Sequence, residues 1–285
     1  MNAAEANRRY YASRAADYDQ TEECVIHERG QRRLRDVLSA AIASACGHEH
    51  ILDACGGSGY ASLELAAIGL HPLTVDISAE MLELYCAKAA AAGLPARAEV
   101  GEIGSFLAEC VQSWDLIVFS SALHHLDDYR AVLLAACERL NEGGVVATVF
   151  DPTLPRPLGR LIRYVDYLLW LALRERATFV RRLRDRASRR NAGAPSVGRM
   201  AERHALSGID DRALAECLEE GGLELILHKR EFEAHFLLTR VMLRLLRQPS
   251  AFSFVLRRPS RPDAPDVHVQ ETAGDLALAG GRADG

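Results

Sequence analysis

A glycine-rich stretch offers the clearest chemistry in the sequence. An apolar run predicts a buried strand that ends at Asp53, and Gly56, Gly57 and Gly59 then predict a tight turn into a helix. Glycine permits backbone conformations closed to other residues and lets a ligand approach without a Cβ in the way. Amides exposed at the start of a helix favour electron-rich groups. The stretch therefore predicts a cofactor-binding loop.

Two carboxylates follow the next two predicted strands. Asp76 lies close to the offset at which an acid holds both ribose hydroxyls of a nucleoside, and Glu102 stands where it can accept a hydrogen bond from adenine. Alone, Asp76 could cap a helix and Glu102 could be a surface residue. Their positions at successive strand ends favour a nucleoside site. The dinucleotide pattern requires a third glycine where Ser62 stands, which argues against a nicotinamide cofactor.

Titratable side chains follow the fourth and fifth predicted strands. These are His124 and His125, and then Asp151. Ligands of doubly wound α/β folds bind at the carboxyl ends of the strands, and histidine titrates near neutrality. All three are therefore candidates for a general base. The alternatives are a structural histidine pair and a capping or arginine-pairing role for Asp151.

The elements that position these residues alternate along the chain. Such alternation indicates a parallel sheet with right-handed crossovers. Asn141–Gly144 reads as a turn before the fifth strand. Strands are predicted at 51–54, 73–76, 97–100, 115–120, 145–150, 223–229 and 250–256, and helices at 61–68, 79–92, 103–111, 129–140, 210–220 and 236–247.

The part of the chain from about Tyr10 to Asp151 resembles the class I S-adenosylmethionine-dependent methyltransferases, especially their small-molecule branch. The resemblance implies an α/β, Rossmann-like, doubly wound, mostly parallel sheet of seven strands with a helical cap. It implies methyl transfer to O, N or C of a small molecule, with natural-product, acidic, and prenylated or quinone-like acceptors as candidates. The motifs that carry it are Asp53–Gly59, Val75-Asp76, Gly101-Glu102, Trp114–His125 and the early segment Arg9–Asp19.

The resemblance also implies a cofactor, S-adenosylmethionine, and roles for particular residues. Asp53 would fix the cofactor ammonium directly or through water, Asp76 would hold the ribose, and Glu102 would read the adenine. Cys55 departs from the many members that carry glycine there. Cofactor contacts are expected from Tyr11, Tyr18, Asp53, Gly56, Gly57, Gly59, Asp76, Ile77, Glu102, Ile103 and Ser120.

An arginine-rich insertion, residues 152–206, follows the fifth strand. Between Arg156 and Arg190 it contains eleven arginines and three acidic residues. It can be a helical lid with solvated arginines, a wall of the acceptor pocket, or an interfacial amphipathic helix for a lipid or prenylated substrate. For the acceptor pocket the candidates are Tyr10, Arg160, Arg163, Tyr164, Tyr167 and Trp170, with Arg160 or Arg163 pairing an acidic group.

Composition bounds the remaining possibilities. The net charge of −5 gives no nucleic-acid signature, and seven scattered cysteines predict neither a metal site nor disulfides. No signal peptide or spanning segment is recognisable, so a cytoplasmic protein is expected, and contact with a membrane surface is not favoured. The alternatives are an NAD(P)-dependent oxidoreductase and a non-catalytic cofactor-binding protein. The expected organisation is a cap segment (1–21), a core (22–151), the insertion (152–206), completion of the sheet (207–258) and a disordered tail (259–285).

Overall fold

A computed structural model of the chain describes residues 3–15, 18–21, 28–174 and 207–260. The strands of this part form one seven-stranded sheet in the order β3-β2-β1-β4-β5-β7-β6. Only β7 runs antiparallel to its neighbours. The predicted doubly wound, mostly parallel fold is therefore confirmed. The strands are β1 Ile51–Ala54, β2 Leu73–Asp76, β3 Arg97–Val100, β4 Trp114–Ser120, β5 Leu140–Pro152, β6 Glu224–Glu231 and β7 Ala251–Arg257.

Helices connect these strands and also precede the sheet. A short 3-10 turn, Leu123–His125, follows β4. Within the described residues the helices are α1 Ala3–Ala12, α2 Tyr18–Thr21, α3 Glu28–Ser44, α4 Tyr60–Ala67, α5 Ala79–Ala91, α6 Ile103–Glu109, α7 Tyr129–Glu138, α8 Pro157–Arg174, α9 Asp211–Glu220 and α10 Leu237–Leu245. None of these described helices is long and apolar enough to cross a bilayer.

The core lies on both faces of the sheet, as β4 illustrates. Its residues alternate between the faces because successive side chains of a strand point in opposite directions. Leu116 and Val118 pack with Leu34 of α3 and Leu65 of α4. The intervening Ile117 and Phe119 belong to the opposite cluster, with residues of α6, α7 and α9. The middle strands are thereby buried on both sides, which fixes the positions of their carboxyl ends.

The fifth strand is longer than predicted at both ends. The predicted turn at Asn141–Gly144 is wrong, because Leu140 already pairs with Trp114 and the strand then passes through a register shift. At the other end β5 continues to Pro152, which pairs with Ala251 of the antiparallel β7. Pairing with β4 and β7 therefore overrides the local turn signal.

Part of the insertion and tail lies outside the described residues. Of the insertion predicted at 152–206, a helix is described only as α8, which ends at Arg174, and residues 175–206 lie outside the described part. The predicted disordered tail falls outside the described part from residue 261 onward. The domain bounds remain predictions.

Candidate active site

A cavity of about 330 Å³ opens at the carboxyl ends of β1, β2, β3 and β4, beneath α1 and α2. This volume is in the range of small-molecule sites. Parallel strands bring their carboxyl ends to one edge of the sheet, which is why residues far apart in sequence meet here. The predicted cofactor residues that line the cavity are Tyr11, Tyr18, Gly56, Gly57, Asp76, Ile77, Glu102, Ile103 and Ser120.

The glycine loop forms one wall of the cavity. Gly57 has a φ of +54°, which glycine adopts without the penalty a side chain would bring. A Cβ built there would point towards Met81 and Asp76, 3.4 and 3.9 Å away, both of which also line the cavity. The bare backbone therefore leaves room where a side chain would otherwise stand.

The Asp76 carboxylate ties the end of β2 to this loop. Its Oδ2 accepts a hydrogen bond from the Gly57 amide (2.9 Å) and its Oδ1 accepts one from the Ser78 amide (2.8 Å). Burial raises the pKa of Asp76, and these amide donors act against the rise. Each carboxylate oxygen can accept more than one hydrogen bond, so Asp76 retains capacity for ligand hydroxyls.

Glu102 lines the cavity and also caps a helix. Its carboxylate accepts hydrogen bonds from the amides of Gly104 and Ser105 at the start of α6. These two hydrogen bonds engage both carboxylate oxygens of Glu102. Glu102 is therefore a helix cap and not only the surface carboxylate that the sequence offered as an alternative. Whether Glu102 also reads an adenine stays a prediction.

Two predicted cofactor residues do not line the cavity. Asp53 is fully buried behind the loop, where its Oδ2 accepts hydrogen bonds from the backbone and hydroxyl of Ser62, so it does not line the cavity as a direct contact with a cofactor ammonium would require. The contact through water stays a prediction. Burial raises the pKa of Asp53 to about 6. Gly59 faces Tyr85, whose Cδ2 would lie 1.9 Å from an added Cβ. Both residues support the loop from behind.

The first helix closes the cavity from above. The Tyr11 hydroxyl lies 3.0 Å from Nε2 of His125, and the Asn7 amide donates to the His125 carbonyl (2.8 Å). These contacts join α1 to the 3-10 turn after β4. Asn7 was not predicted, since an isolated asparagine near the start of a chain gives no sequence signal.

The second helix is fastened to the glycine loop by a three-residue cluster that was also not predicted. The Ser58 hydroxyl donates to Oδ1 of Asp19 (2.8 Å), and Nζ of Lys88 lies 2.7 Å from Oδ2 of the same residue. Lys88 also donates to Ser58 (3.1 Å). Because Asp19 follows Tyr18, this cluster positions a tyrosine that lines the cavity.

Only one of the three predicted catalytic residues faces the cavity. That residue is His125, whose ring lies 3.8 Å from the ring of His124. Nδ1 of His124 in turn lies 3.0 Å from Oδ1 of Asp151. Asp151 belongs to β5, is completely buried, and has its pKa raised to about 7 by that burial. The prediction that Asp151 faces the crevice was therefore wrong: it holds His124, which stands behind His125.

The predicted acceptor residues lie away from the cavity. Tyr10 packs on Tyr11 and accepts a hydrogen bond from Arg14 instead. The candidates on α8 do not line the cavity because that helix packs against α10, where Trp170 stacks on His235 with ring centroids 4.6 Å apart. The residues concerned are Arg160, Arg163, Tyr164, Tyr167 and Trp170.

The cavity residues fit a nucleoside cofactor with a sulfonium. The side-chain-free wall at Gly57 admits a bulky group, and the carboxylate of Asp76 stands at the end of the neighbouring strand. Ile77 and Ile103 offer apolar surface beside it. Carboxylates near the site also suit a cofactor that carries positive charge.

Solved structures share this fold at low sequence identity. The [4+2]-cyclase SpnF matches with a TM-score of 0.61 and 12% identity, over 92% of this chain and 97% of that chain. Magnesium protoporphyrin IX methyltransferase from Synechocystis PCC 6803, with bound SAH, gives 0.57 and 13% over 90% and 100%. N-methyltransferase NodS from Bradyrhizobium japonicum WM9, in complex with S-adenosyl-L-homocysteine, also gives 0.57 and 13% over 90% and 100%. No curated protein sequence matches.

The family comparison favours a methyltransferase over the oxidoreductase that the sequence left open. The model described as "Methyltransferase domain" matches residues 26–228, well over half of the chain. The match spans the glycine loop, all four strand ends at the cavity and the histidine pair. It does not favour an oxidoreductase. The chain belongs to the methyltransferase domain family and is a class I S-adenosylmethionine-dependent methyltransferase.

Proposed function

We infer that this protein methylates O, N or C of a small, uncharged or cationic acceptor, and that His125 receives the proton the acceptor loses. The observation that carries the proposal is the placement of His125. It lines the cavity, contacts Tyr11 through Nε2 and rests against His124. A base is required only where the acceptor loses a proton during attack.

The charge of the cavity wall supports this acceptor class. Among the described residues the lining contains four carboxylates, those of Asp76, Glu102, Asp127 and Asp128, and neither lysine nor arginine. An acidic acceptor would bring like charges together. The sequence-based proposal that Arg160 or Arg163 pairs an acidic acceptor loses its support, because α8 does not reach this cavity in the described part of the chain.

The role of each residue follows from its position in the site. S-adenosylmethionine supplies an electrophilic methyl group. Asp76 holds its ribose and the glycine loop packs against its methionine part, while α1 covers the cavity and limits access of water. His125 accepts the acceptor proton, and the buried pair of His124 and Asp151 fixes the plane against which the His125 ring packs.

Labelling tests this function directly. Purified protein, methyl-labelled S-adenosylmethionine and a cell metabolite extract are incubated, and labelled products are sought by mass spectrometry. We expect a labelled small molecule, and with His125→Asn a fall in turnover of about a hundredfold or more, the contribution of a general base. Affinity for S-adenosylhomocysteine should fall about twofold to tenfold, because the variant also loses the contact between His125 and Tyr11. Binding of the cofactor without product in any extract would favour the non-catalytic alternative, and full turnover by His125→Asn would remove the assigned base.

A further inference from the structure

A side chain of the helix that covers the cavity carries a hydrogen-bonding atom without a partner. Asn7 lines the cavity and is 8% exposed. Its Nδ2 donates to the carbonyl of His125, and its Oδ1 is buried and has no hydrogen-bond partner in the described part of the chain. Because a carbonyl only accepts hydrogen bonds, the amide cannot be turned over to exchange these two atoms. Asn7 therefore holds an acceptor that lacks a donor.

The position of Asn7 on α1 places its side chain at the cavity. Ala4, Asn7 and Tyr11 line the cavity, and their spacing of three and four residues puts them on one side of the helix. The charged residues of α1 form ion pairs with one another at partly exposed positions instead. Buried polar atoms of folded proteins are nearly always paired. A ligand in the cavity that donates a hydrogen bond would supply what Asn7 lacks.

Two carboxylates lie on the same wall as this contact. Asp127 and Asp128 line the cavity two and three residues after His125, whose carbonyl holds the Asn7 amide. The Oδ1 atom of Asp128 accepts a hydrogen bond from the amide of Ala131 at the start of α7, which fixes the position of that carboxylate. This end of the cavity therefore combines an amide oxygen with two negative charges, and the described lining contains neither lysine nor arginine.

The cofactor does not account for these two carboxylates. Asp76 and Glu102 stand at the ends of β2 and β3, where the nucleoside is expected, whereas Asp127 and Asp128 follow β4. On an open surface such a pair would be solvated and would indicate nothing. Beside the unpartnered oxygen of Asn7 it indicates a second ligand that carries positive charge and donates hydrogen bonds.

We propose that the acceptor is a primary or secondary amine that binds as its ammonium ion, with its N–H groups donating to Asn7, Asp127 and Asp128. An ammonium group has only donors, so it matches a wall of acceptors. A neutral alcohol would satisfy Asn7 but leave the carboxylates without a cation, and an acid would be repelled. The proposal rests on the proposed function and narrows it from O, N or C to nitrogen.

His125 gains a definite task with such an acceptor. An ammonium nitrogen has no lone pair and cannot attack, so His125 first takes one N–H proton. The freed lone pair forms the bond from nitrogen to the methyl carbon, while the bond from that carbon to sulfur breaks and its electrons stay on sulfur. S-adenosylhomocysteine leaves as a neutral thioether, the product is a protonated N-methylamine, and the proton on His125 passes to solvent. The carboxylates offset the repulsion between ammonium and sulfonium.

Labelling of a chemically treated extract tests the acceptor class. Full-length protein is incubated with methyl-labelled S-adenosylmethionine and a cell metabolite extract, either untreated or first acylated at its amines with the N-hydroxysuccinimide ester of acetic acid. We expect a labelled N-methyl product that a cation exchanger retains, and its loss after acylation. A label on oxygen or carbon, or a product that survives acylation, overturns the amine proposal and leaves methyl transfer intact. Absence of any labelled product instead contradicts the proposed function and removes both.

Removal of the two charges tests the carboxylates with that amine. Asp127→Asn with Asp128→Asn keeps the cap of α7, because asparagine also caps helices. We expect the KM for the amine to rise at least about tenfold, since bonds to charged groups are lost, with affinity for S-adenosylhomocysteine unchanged. The matched control is Asp210→Asn with Glu216→Gln, an exposed helix cap and an exposed carboxylate of α9 that do not line the cavity. An unchanged KM, or an equal rise in the control, overturns the proposal.

Asn7→Leu separates binding of the amine from closure of α1. The variant loses the bond to the His125 carbonyl, so affinity for S-adenosylhomocysteine should fall about twofold to tenfold. It also loses the acceptor for the ammonium group, so the KM for the amine should rise by a larger factor, about tenfold to a hundredfold. Equal factors would mean that Asn7 only closes the helix, and would overturn its assignment to the acceptor.

Discussion

The Tyr11 hydroxyl lies 3.0 Å from Nε2 of His125, and this contact links the helix that covers the cavity to the strand end beneath it. The two rings also meet edge to face with centroids 5.2 Å apart. Closure of the first helix therefore depends on a residue that we assign to proton transfer. Binding of the cofactor and orientation of His125 should consequently be coupled.

Tyr11→Phe removes this hydrogen bond and keeps the ring contact. One hydrogen bond contributes about 0.5–1.5 kcal/mol, so affinity for S-adenosylhomocysteine should fall about twofold to tenfold. Titration calorimetry measures the change. The control is Tyr10→Phe, because the Tyr10 hydroxyl accepts from Arg14 of the same segment and does not face the cavity. If both variants lose the same affinity, the effect belongs to α1 as a whole and not to the Tyr11–His125 contact.

Asp76→Ala should weaken cofactor binding more strongly. The variant loses a carboxylate that holds Gly57 in the cavity wall and that we expect to receive the ribose hydroxyls. Hydrogen bonds to a charged group contribute about 1.5–3 kcal/mol, which corresponds to about tenfold to a hundredfold in affinity. Calorimetry with S-adenosylhomocysteine is again the measurement. Glu80→Ala, on the exposed first turn of the next helix, should bind normally. Normal binding by Asp76→Ala would reject the ribose assignment.

Gly59→Ala should destabilise the protein by about 2–4 kcal/mol. The new Cβ would enter the ring of the fully buried Tyr85, and the backbone has a φ of +74°. Overpacking costs about 1–3 kcal/mol and the left-handed conformation about 1 kcal/mol more. Gly93→Ala isolates the second contribution, since Gly93 has a φ of +66° and no atom within 4 Å of the added Cβ. Denaturant unfolding compares the two; equal losses would mean that Tyr85 moves aside freely.

The strand ends and the glycine loop could be predicted from the sequence because each depends on local signals. Apolar runs end at Asp53 and Asp76, and glycines or polar residues follow immediately. In a parallel sheet those ends must meet at one edge. That reasoning brought Asp76 and the glycine loop to one edge, where Asp76 and Gly57 line the cavity, and the family resemblance added Ile103, which lines it as well. It did not determine which way the side chains at that edge point.

Asp53 shows why the direction in which a side chain points could not be predicted. All four residues of β1 are buried, so the strand has no alternation of apolar and polar residues to reveal which side meets the ligand. Its carboxylate turns to Ser62, one turn into the helix behind the loop. The orientation of the Asp53 carboxylate is therefore set by Ser62, nine positions later in the sequence. The two residues come together only in the folded chain.

The orientation of the Asp151 side chain depends on an irregularity in β5. The pairing of β5 with β7 shifts between Thr148 and Asp151, and Phe150 between them has a φ of +67°. Such a bulge re-aims the side chains beyond it, here towards His124. No glycine marks the bulge in the sequence, which is why Asp151 was expected to face the crevice. The partner strand β7 lies about a hundred residues later, so no local sequence pattern predicts its pairing with β5.

The buried carboxyl of Asp53 predicts a dependence of stability on pH. Burial raises its pKa in the folded protein to about 6, above the ordinary value of 3.8. The folded state then binds the proton more tightly than the unfolded state, so this contribution to stability is complete below about pH 4 and is lost as the pH rises through 6. A shift of this size corresponds to about 3 kcal/mol between the two limits. Asp53→Asn cannot ionise and should show a flatter decline in the free energy of unfolding between pH 4 and pH 8, measured by urea titration. Glu109→Gln, on the exposed end of α6, should decline as the wild type does. A decline in Asp53→Asn as steep as that of the wild type would place the titration elsewhere, with the buried Asp151 as the next candidate.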